Sequence, residues 1–172
     1  MCMSIVFGAS LAEGCSGEFA DRLAELGRVY EYGLGIGREE LLPEAGFDIF
    51  SVLSEPDVVF EVHDLPEKHC ACDIDDDIRI ASKLGRKSKF FDLVREVLVN
   101  ENVQALSVLF FQEILPSPDN VRKQLGSYED FVAQLNRWNT WQVEGFEPTR
   151  QAYFISDATP FLFTFTNENF SQ

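Results

Sequence analysis

Apolar residues recur along the chain with the periods of short strands and of amphipathic helices. Residues 4–9 are apolar and β-branched enough to predict a strand, which a turn of small residues follows. A helix is predicted from Ser16, which can cap it, to Gly27, which can end it, because apolar residues between them recur at steps of three and four. The chain is therefore expected to begin with a strand and a helix.

Turn-forming residues separate the next elements. The glycines of residues 33–37 indicate a flexible turn that leads into a short helix ending at Pro43. Residues 47–53 and 58–65 are predicted to form two strands of a hairpin, because the residues between them are all turn formers.

Two helices and a long strand are predicted in the middle of the chain. Residues 73–84 place apolar side chains on one face and aspartates in the first turn, and Gly85 can end this helix. Residues 88–99 carry a broad apolar stripe that must pack on a sheet. Residues 103–115 form an apolar run without alternation, which is typical of a central strand covered on both faces.

The last third of the chain is predicted to hold two helices and a small sheet. Ser117 and Pro118 can start a short helix that Gly126 ends, and Ser127 begins a second helix with a spacing like that of a capping box. Three strands joined as a meander are then predicted, at about residues 140–146, 150–156 and 161–166.

Together these elements predict one α+β domain over residues 1–172, with a mostly antiparallel sheet, a C-terminal three-strand meander and helices packed on the sheet. The hydrophobic content of 45% is enough for a core without disulfides or metals. No apolar run reaches the roughly 18 residues of a membrane helix, and the first residues lack the basic segment of a secretory signal. We therefore expect a cytoplasmic protein with reduced cysteines.

Acidic residues are in large excess and are concentrated early in the chain. The chain carries 29 Asp and Glu against 14 Lys and Arg, a formal net charge of −15. Residues 1–80 hold 18 acidic and 5 basic residues, whereas residues 81–172 hold 11 and 9. This surplus disfavours nucleic acid and anionic membranes as direct partners. It is typical either of a binding face for a basic partner or of a surface that keeps a protein soluble.

Histidines and cysteines that lie close together in the sequence form the strongest candidate for a metal site. His63, His69, Cys70 and Cys72 carry the usual zinc donors. The Cys-x-Cys spacing strains tetrahedral coordination, and the chain contains only 2 histidines. A polar loop is the preferred interpretation, so we predict no metal ion and no cofactor.

The common catalytic motifs are missing from the sequence. Cys15 precedes a predicted helix start, a position that favours a thiolate, but its acidic neighbours favour the neutral thiol. The glycines of residues 33–37 match neither the phosphate-loop nor the dinucleotide-binding pattern, and Glu39 and Glu40 would repel phosphate. No catalytic residue is predicted.

Size, acidity and the α+β pattern give a functional hypothesis, to which the acidic run of residues 73–77, Asp-Ile-Asp-Asp-Asp, contributes. In these features the chain resembles the immunity proteins of bacterial contact-dependent inhibition and polymorphic toxin systems, which are small, acidic, cytoplasmic domains. The resemblance implies a one-to-one complex with a cognate basic toxin and no enzymatic activity. We expect a nuclease toxin, because nuclease clefts hold nucleic acid with Lys and Arg, and carboxylates can occupy such a cleft.

The residues expected at the interface are carboxylates and aromatic side chains. The expected carboxylates are those of Asp73, Asp75, Asp76, Asp77, Glu39 and Glu40. Tyr30 and Tyr32 are expected as exposed aromatic anchors, since tyrosine is enriched at interface hot spots. Core packing is the preferred interpretation of Trp138 and Trp141. The aspartates also have a structural explanation, because acidic residues in the first turn stabilise a helix.

Two other functional classes remain open. A small-molecule-binding domain or enzyme would assemble a polar site from Glu61, His63, His69 and Cys70, and a deep pocket converging on these residues would favour it. A structural or adaptor subunit would expose an apolar patch instead of a charged one.

Overall fold

A computed structural model describes residues 3–37, 49–64, 71–112, 119, 121–141 and 160–166. Its helices and strands are, in chain order, β1 (Met3–Leu11), α1 (Ser16–Tyr30), β2 (Gly33–Ile36), α2 (Ile49–Val52), β3 (Val58–His63), α3 (Cys72–Lys83), α4 (Lys89–Leu98), β4 (Val103–Gln112), β5 (Arg122–Gly126), α5 (Tyr128–Trp141) and β6 (Phe161–Phe165).

The strands form one six-stranded sheet in the order β2-β3-β1-β4-β6-β5. All neighbouring strands are antiparallel except β5 and β6, which are parallel. The predicted α+β class and mostly antiparallel sheet are confirmed. The described elements share this single sheet.

The two long strands β1 and β4 lie at the centre of the sheet and are covered on both faces. Alternate residues of β4 join different core clusters, Val108 and Phe110 on one face and Leu109 and Phe111 on the other. Because both faces are buried, residues 105–111 of β4 are all apolar or small, and the sequence pattern loses its alternation. The predicted central strand is confirmed.

Four helices cover the first face of the sheet. Apolar residues of α1, α3, α4 and α5 belong to one core cluster with that face. Phe90 of α4 and Phe131 of α5 lie at its centre, with ring centroids 6.5 Å apart. The second, smaller cluster on the other face includes Ile49 and Val52 of α2. The helix layer on the first face carries the candidate site described below.

The helices over the middle of the chain agree with the prediction. The predicted helices at 73–84 and 88–99 are present as α3 and α4. Gly85 adopts a positive φ of 65° just beyond α3, as expected of a residue that ends a helix. Ser127 begins α5, where its hydroxyl accepts from the Asp130 N–H at 3.1 Å.

The predicted C-terminal meander is wrong for its last strand. Strand β6 lies between β4 and β5, so both of its edges pair with strands earlier in the chain. Residues 140 and 141, predicted to start the first meander strand, belong to α5. The remainder of the first two predicted strands lies outside the described residues. Pairing with strands that are distant in the chain depends on tertiary contacts, which local sequence patterns do not encode.

Two predictions between α1 and β3 are also wrong. Residues 49–52, predicted as part of a hairpin strand, form the short helix α2. Residues 33–36, predicted as a flexible turn, form the edge strand β2, in which Gly33 pairs with His63 and Gly35 with Glu61. Backbone pairing with β3 stabilises this strand despite its glycines. The short helix predicted up to Pro43 lies outside the described residues.

Two helix predictions need correction as well. Helix α1 continues past Gly27 to Tyr30, and Glu31 takes the left-handed conformation at its end, with φ 58°. Its N-cap is Cys15, and no side chain caps it. Residues 122–126, predicted as the end of a helix, form β5. This strand pairs in parallel with β6, about 39 residues later in the chain.

Candidate functional site

Helix α3 begins at a buried carboxylate from the end of the neighbouring strand. Asp64 directly follows β3 and is 8% exposed. Its Oδ2 accepts from the Asp73 N–H at 3.0 Å, and its Oδ1 accepts from the Ile74 N–H at 3.1 Å. A carboxylate at this place satisfies amides that the helix itself leaves unpaired and interacts favourably with the helix dipole. Asp64 is thereby fixed beside the first turn of α3.

One turn further along α3, Asp77 is fixed by the start of α4. Ser88 is buried, and its hydroxyl donates to Asp77 Oδ2. The same hydroxyl accepts from the Phe90 N–H at 3.1 Å and is the N-cap of α4. One serine therefore caps α4 and ties it to α3.

Tyr32 lies between α1 and β2, facing the start of α4. Its ring packs edge-on against Phe90, with centroids 6.5 Å apart. The Lys89 Nζ lies 4.6 Å from the centre of the Tyr32 ring, within the range of a cation–π contact. Only 4% of Tyr32 is exposed, and within the described part of the chain its buried hydroxyl has no hydrogen-bond partner. Burial raises the pKa of Tyr32 well above its usual value, and the charges of Asp77 and Asp64 add to the effect.

These residues line one pocket of about 280 Å³, which we call the acidic pocket. Its described lining is Tyr32, Asp64, Asp73, Ile74, Asp77 and Lys89. Three of these six residues are aspartates, and Lys89 is the one basic residue among them. The aspartates come from two segments, which are joined by the hydrogen bonds that Asp64 accepts from α3.

Two shallower depressions extend the acidic pocket along α1. The first, of about 700 Å³, shares Tyr32 and Lys89 with the acidic pocket, and the second, of about 590 Å³, shares Arg28 with the first. We call the three together the acidic face. Their described lining includes seven acidic residues, Glu18, Asp21, Glu25, Glu31, Asp64, Asp73 and Asp77, and three basic ones, Arg22, Arg28 and Lys89.

One of the three basic residues is already paired. Arg22 binds Glu25 Oε2 at 2.6 Å and Glu96 Oε2 at 3.2 Å. The hydrogen bond to Glu25 raises the pKa of Arg22. Its charge is therefore offset by carboxylates of α1 and α4, and the acidic face keeps an excess of negative charge.

Tyr30 lies next to the acidic face at the end of α1. It is half-buried, and its pKa is raised by burial and by the charges of Glu96 and Asp92. Tyr128 of α5, also half-buried, donates its hydroxyl to the Phe91 carbonyl at 3.0 Å. Tyr30 thus offers part of an aromatic ring beside carboxylates.

The structure brings together some of the interface residues that the sequence predicts. Asp73 and Asp76 are exposed, and Asp73 and Asp77 line the acidic pocket. Asp75 belongs to α3, but its side chain lies outside the described part of the structure. Glu39 and Glu40 also lie outside the described residues.

The prediction of Tyr32 as an exposed anchor is wrong, because packing against Phe90 buries it. Sequence reasoning also missed Asp64 and Lys89. A carboxylate that follows a strand and precedes an aspartate-rich helix was a usable signal for Asp64. Nothing local to Lys89 indicates its contact with Tyr32.

The structure describes only two residues of the alternative polar site, Glu61 and His63. Glu61 and His63 are each 5% exposed, and Oε2 of Glu61 lies 3.2 Å from Nε2 of His63. They alternate with Phe60 and Val62, which belong to the core under the helix layer, so this pair lies on the opposite face of the sheet. Neither residue lines any of the three depressions of the acidic face.

The other residues considered for chemistry are only partly described. His69 and Cys70 lie outside the described residues, as does the side chain of Cys72. Among the residues that are described, no group of three or more His, Cys, Asp or Glu is placed to hold a metal ion. Cys15 is half-buried, with its thiol 3.8 Å from the Glu13 carbonyl. Trp138 and Trp141 belong to α5, with side chains outside the described part.

In the described part of the chain, every helix is too short or too polar to cross a membrane. Comparisons with protein-family models, with curated proteins and with solved structures give no match to this chain. The fold and the acidic face are therefore the basis for a functional proposal.

Proposed function

We propose that this chain is a cytoplasmic immunity or inhibitor protein that binds a basic toxin domain, a nuclease, in a one-to-one complex through the acidic face. The observation that supports this proposal is the collection of seven carboxylates on adjoining depressions of one helix layer. Sequence alone left a binding face and a merely soluble surface equally open. Grouping of the carboxylates in concave surfaces favours the binding face.

The physical argument concerns both the rate and the specificity of binding. Carboxylates grouped in a concavity produce a stronger field than the same number spread over a sphere, and this field steers a cationic partner. A nuclease cleft is lined with Lys and Arg, which can pair with carboxylates in place of phosphates. Binding of this kind occludes the cleft, so the inhibitor needs no catalytic group.

The proposal is tested by isolating the partner and restoring its inhibition. The tagged chain is purified from its native cells, and a bound protein is identified by mass spectrometry. We expect a basic domain at one-to-one stoichiometry whose separate expression arrests growth and degrades nucleic acid. Co-expression of this chain should restore growth. A partner that is acidic, or growth arrest that this chain does not relieve, would contradict the proposal.

Charge reversal on the acidic face should slow association with that partner. We expect Asp21→Lys and Asp73→Lys each to reduce the association rate severalfold at low ionic strength, with a smaller effect on dissociation, because these carboxylates steer the encounter. Glu101→Lys is the matched control, since it makes the same charge change at an exposed turn beyond the far end of α4. Stopped-flow kinetics at several salt concentrations measure this, and equal effects of all three variants would contradict it.

A second candidate function rests on the buried Glu61–His63 pair. A carboxylate oxygen that lies 3.2 Å from an imidazole nitrogen can act together with that ring in acid–base chemistry on a small molecule. The candidate requires a cavity that reaches the pair. His63→Gln should then abolish turnover of a small-molecule substrate while binding of the basic partner is unchanged.

A further inference from the structure

The hydroxyl of Tyr32 is a polar group of the acidic pocket that has no evident role in stabilising the fold. It is buried and has no hydrogen-bond partner among the described residues, although Tyr32 lines the pocket together with three aspartates. Leaving a hydroxyl buried and unpaired is unfavourable because its hydration is lost without replacement, so such groups are rare in folded proteins. A phenylalanine would fill the same space without this cost. The hydroxyl is therefore better explained by a ligand than by the fold.

The groups around this hydroxyl define the chemistry of the ligand. Tyr32 lines the same pocket as Asp64 and Asp77, and the charges of these two carboxylates add to burial in raising the pKa of its hydroxyl. Both carboxylates are held in place, Asp64 by two amides of α3 and Asp77 by Ser88. The pocket thus presents oxygen acceptors in fixed positions. A ligand rich in hydrogen-bond donors and positively charged fits such a lining.

An anion is a poor fit to the same pocket. The first amides of α3 could bind an anion, but Asp64 already accepts from two of them, Asp73 N–H and Ile74 N–H. Lys89 is the only basic residue of the described lining, and its ammonium group lies over the Tyr32 ring. Three aspartates against one lysine make the described lining of the pocket negative.

We propose that the acidic pocket receives an arginine side chain of the basic partner, with the Tyr32 hydroxyl and the Asp77 carboxylate as acceptors; this inference rests on the proposed function and names the group that the partner inserts. A guanidinium carries five N–H donors in one plane, so it can reach several acceptors at once and lie against an aromatic ring. An ammonium group makes fewer fixed contacts. The arginine competes with Lys89 for the Tyr32 ring.

The test uses a small probe with the purified full chain. Nα-acetyl-arginine N-methylamide is titrated into the ¹⁵N-labelled protein, and amide shifts are followed by NMR. We expect saturable shifts at Ile74, Asp77 and Lys89 in the millimolar range, which is ordinary for so small a ligand. The citrulline analogue, which has the same shape without the charge, should give no saturable shift. Equal binding of citrulline, or stronger binding of inorganic phosphate, would overturn the proposal.

Two variants separate binding from folding. Tyr32→Phe should weaken the arginine probe about tenfold, because a hydrogen bond to a charged group is lost. The same variant should unfold at an equal or higher denaturant concentration, since an unpaired buried hydroxyl is removed. Lys89→Gln should strengthen binding of the arginine probe severalfold, because the competing cation is gone. Loss of probe binding in Lys89→Gln, or unchanged probe binding in Tyr32→Phe, would contradict the proposal that the acidic pocket binds arginine.

Failure of this inference can be distinguished from failure of the proposed function. If a basic partner binds the wild type and Tyr32→Phe equally well, the proposed arginine-binding role of the acidic pocket is contradicted. The proposed inhibitor function is not affected by that result. Conversely, the chain could bind the arginine probe, lose affinity for it in Tyr32→Phe, and form no complex with a basic protein. That result would contradict the inhibitor function. In that case the pocket would still bind a guanidinium group.

Discussion

Single polar residues at the helix ends determine how the acidic pocket is built. Asp64 and Ser88 each accept hydrogen bonds from backbone amides at the start of a helix. Asp64 thereby lies beside Asp73 of α3, and the Ser88 hydroxyl donates to Asp77 of α3. A cap satisfies amides that would otherwise be left unpaired, so its geometry is narrowly defined. The pocket therefore depends on capping interactions as much as on its charges.

Loss of the Ser88 cap should destabilise the protein measurably. Ser88→Ala removes the acceptor for the Phe90 N–H and the donor to Asp77, and we expect the free energy of unfolding to fall by about 1–2 kcal/mol. Ser16→Ala is the matched control, because Ser16 is exposed and no side chain caps α1. Denaturant unfolding measures both. Equal losses in the two variants would contradict the assignment of Ser88 as a cap.

Residue identity alone predicted some of these roles and failed for others. Ser16 and Ser88 both precede helical patterns, and only Ser88 caps its helix. The expectation that Tyr32 is an exposed anchor came from the enrichment of tyrosine at interface hot spots. Its burial depends on Phe90, which is 58 residues away in the chain and therefore invisible to a local pattern.

Strand β1 and the segment that follows α2 approach each other closely at Gly8. A Cβ added at Gly8 would lie 3.0 Å from Leu53 Cβ and 3.0 Å from Pro56 Cγ, in the segment that follows α2. Neither atom is the free end of a flexible side chain. Glycine therefore allows this segment to pack directly on the central strand.

Substitution of Gly8 should reveal this contact. We expect Gly8→Ala to lower the free energy of unfolding by about 1–3 kcal/mol, because the added methyl group overpacks the second face of the sheet. Gly17→Ala in α1 is the matched control, since a Cβ there meets nothing within 4 Å. That control should be neutral or stabilising by up to about 1 kcal/mol. Thermal unfolding of both variants checks the prediction, and a neutral Gly8→Ala would contradict it.

Elements with strong periodicity were predictable, and short elements were not. The stripe of α4 and the apolar run of β4 each span about ten residues, so their patterns exceed chance. The strands β2 and β5 have four and five residues. Each is a strand because a partner, β3 or β6, offers backbone hydrogen bonds, and composition alone favoured other structures.

At the scale of the whole molecule, buried tyrosines should make stability depend on alkaline pH. Burial raises the pKa of Tyr128 from 10.0 to about 12 and raises that of Tyr32 further. Above pH 10 the unfolded chain loses these phenolic protons while the folded chain keeps them, so unfolding becomes more favourable as pH rises. Stability from this source is complete below pH 10 and is lost as pH rises toward 12.

This dependence can be measured by denaturant unfolding between about pH 8 and pH 12, with phenolate absorbance recorded alongside. The wild type should lose stability steeply above pH 10. The double variant Tyr32→Phe with Tyr128→Phe should lose it less steeply, because two of the proton-releasing groups are gone. Identical slopes for the two proteins would show that these tyrosines titrate normally in the folded state.

The sequence by itself determined the α+β class, the central strand, the helices α3, α4 and α5, and the acidic surplus of the first 80 residues. These properties follow from composition and from short-range periodicity, which the chain carries locally. Only the tertiary structure decided the strand order, the strand state of β2 and β5, the insertion of β6 between β4 and β5, and the burial of Tyr32 beside Asp77. Each of these depends on contacts between residues far apart in the chain, whose relative energies no local pattern contains.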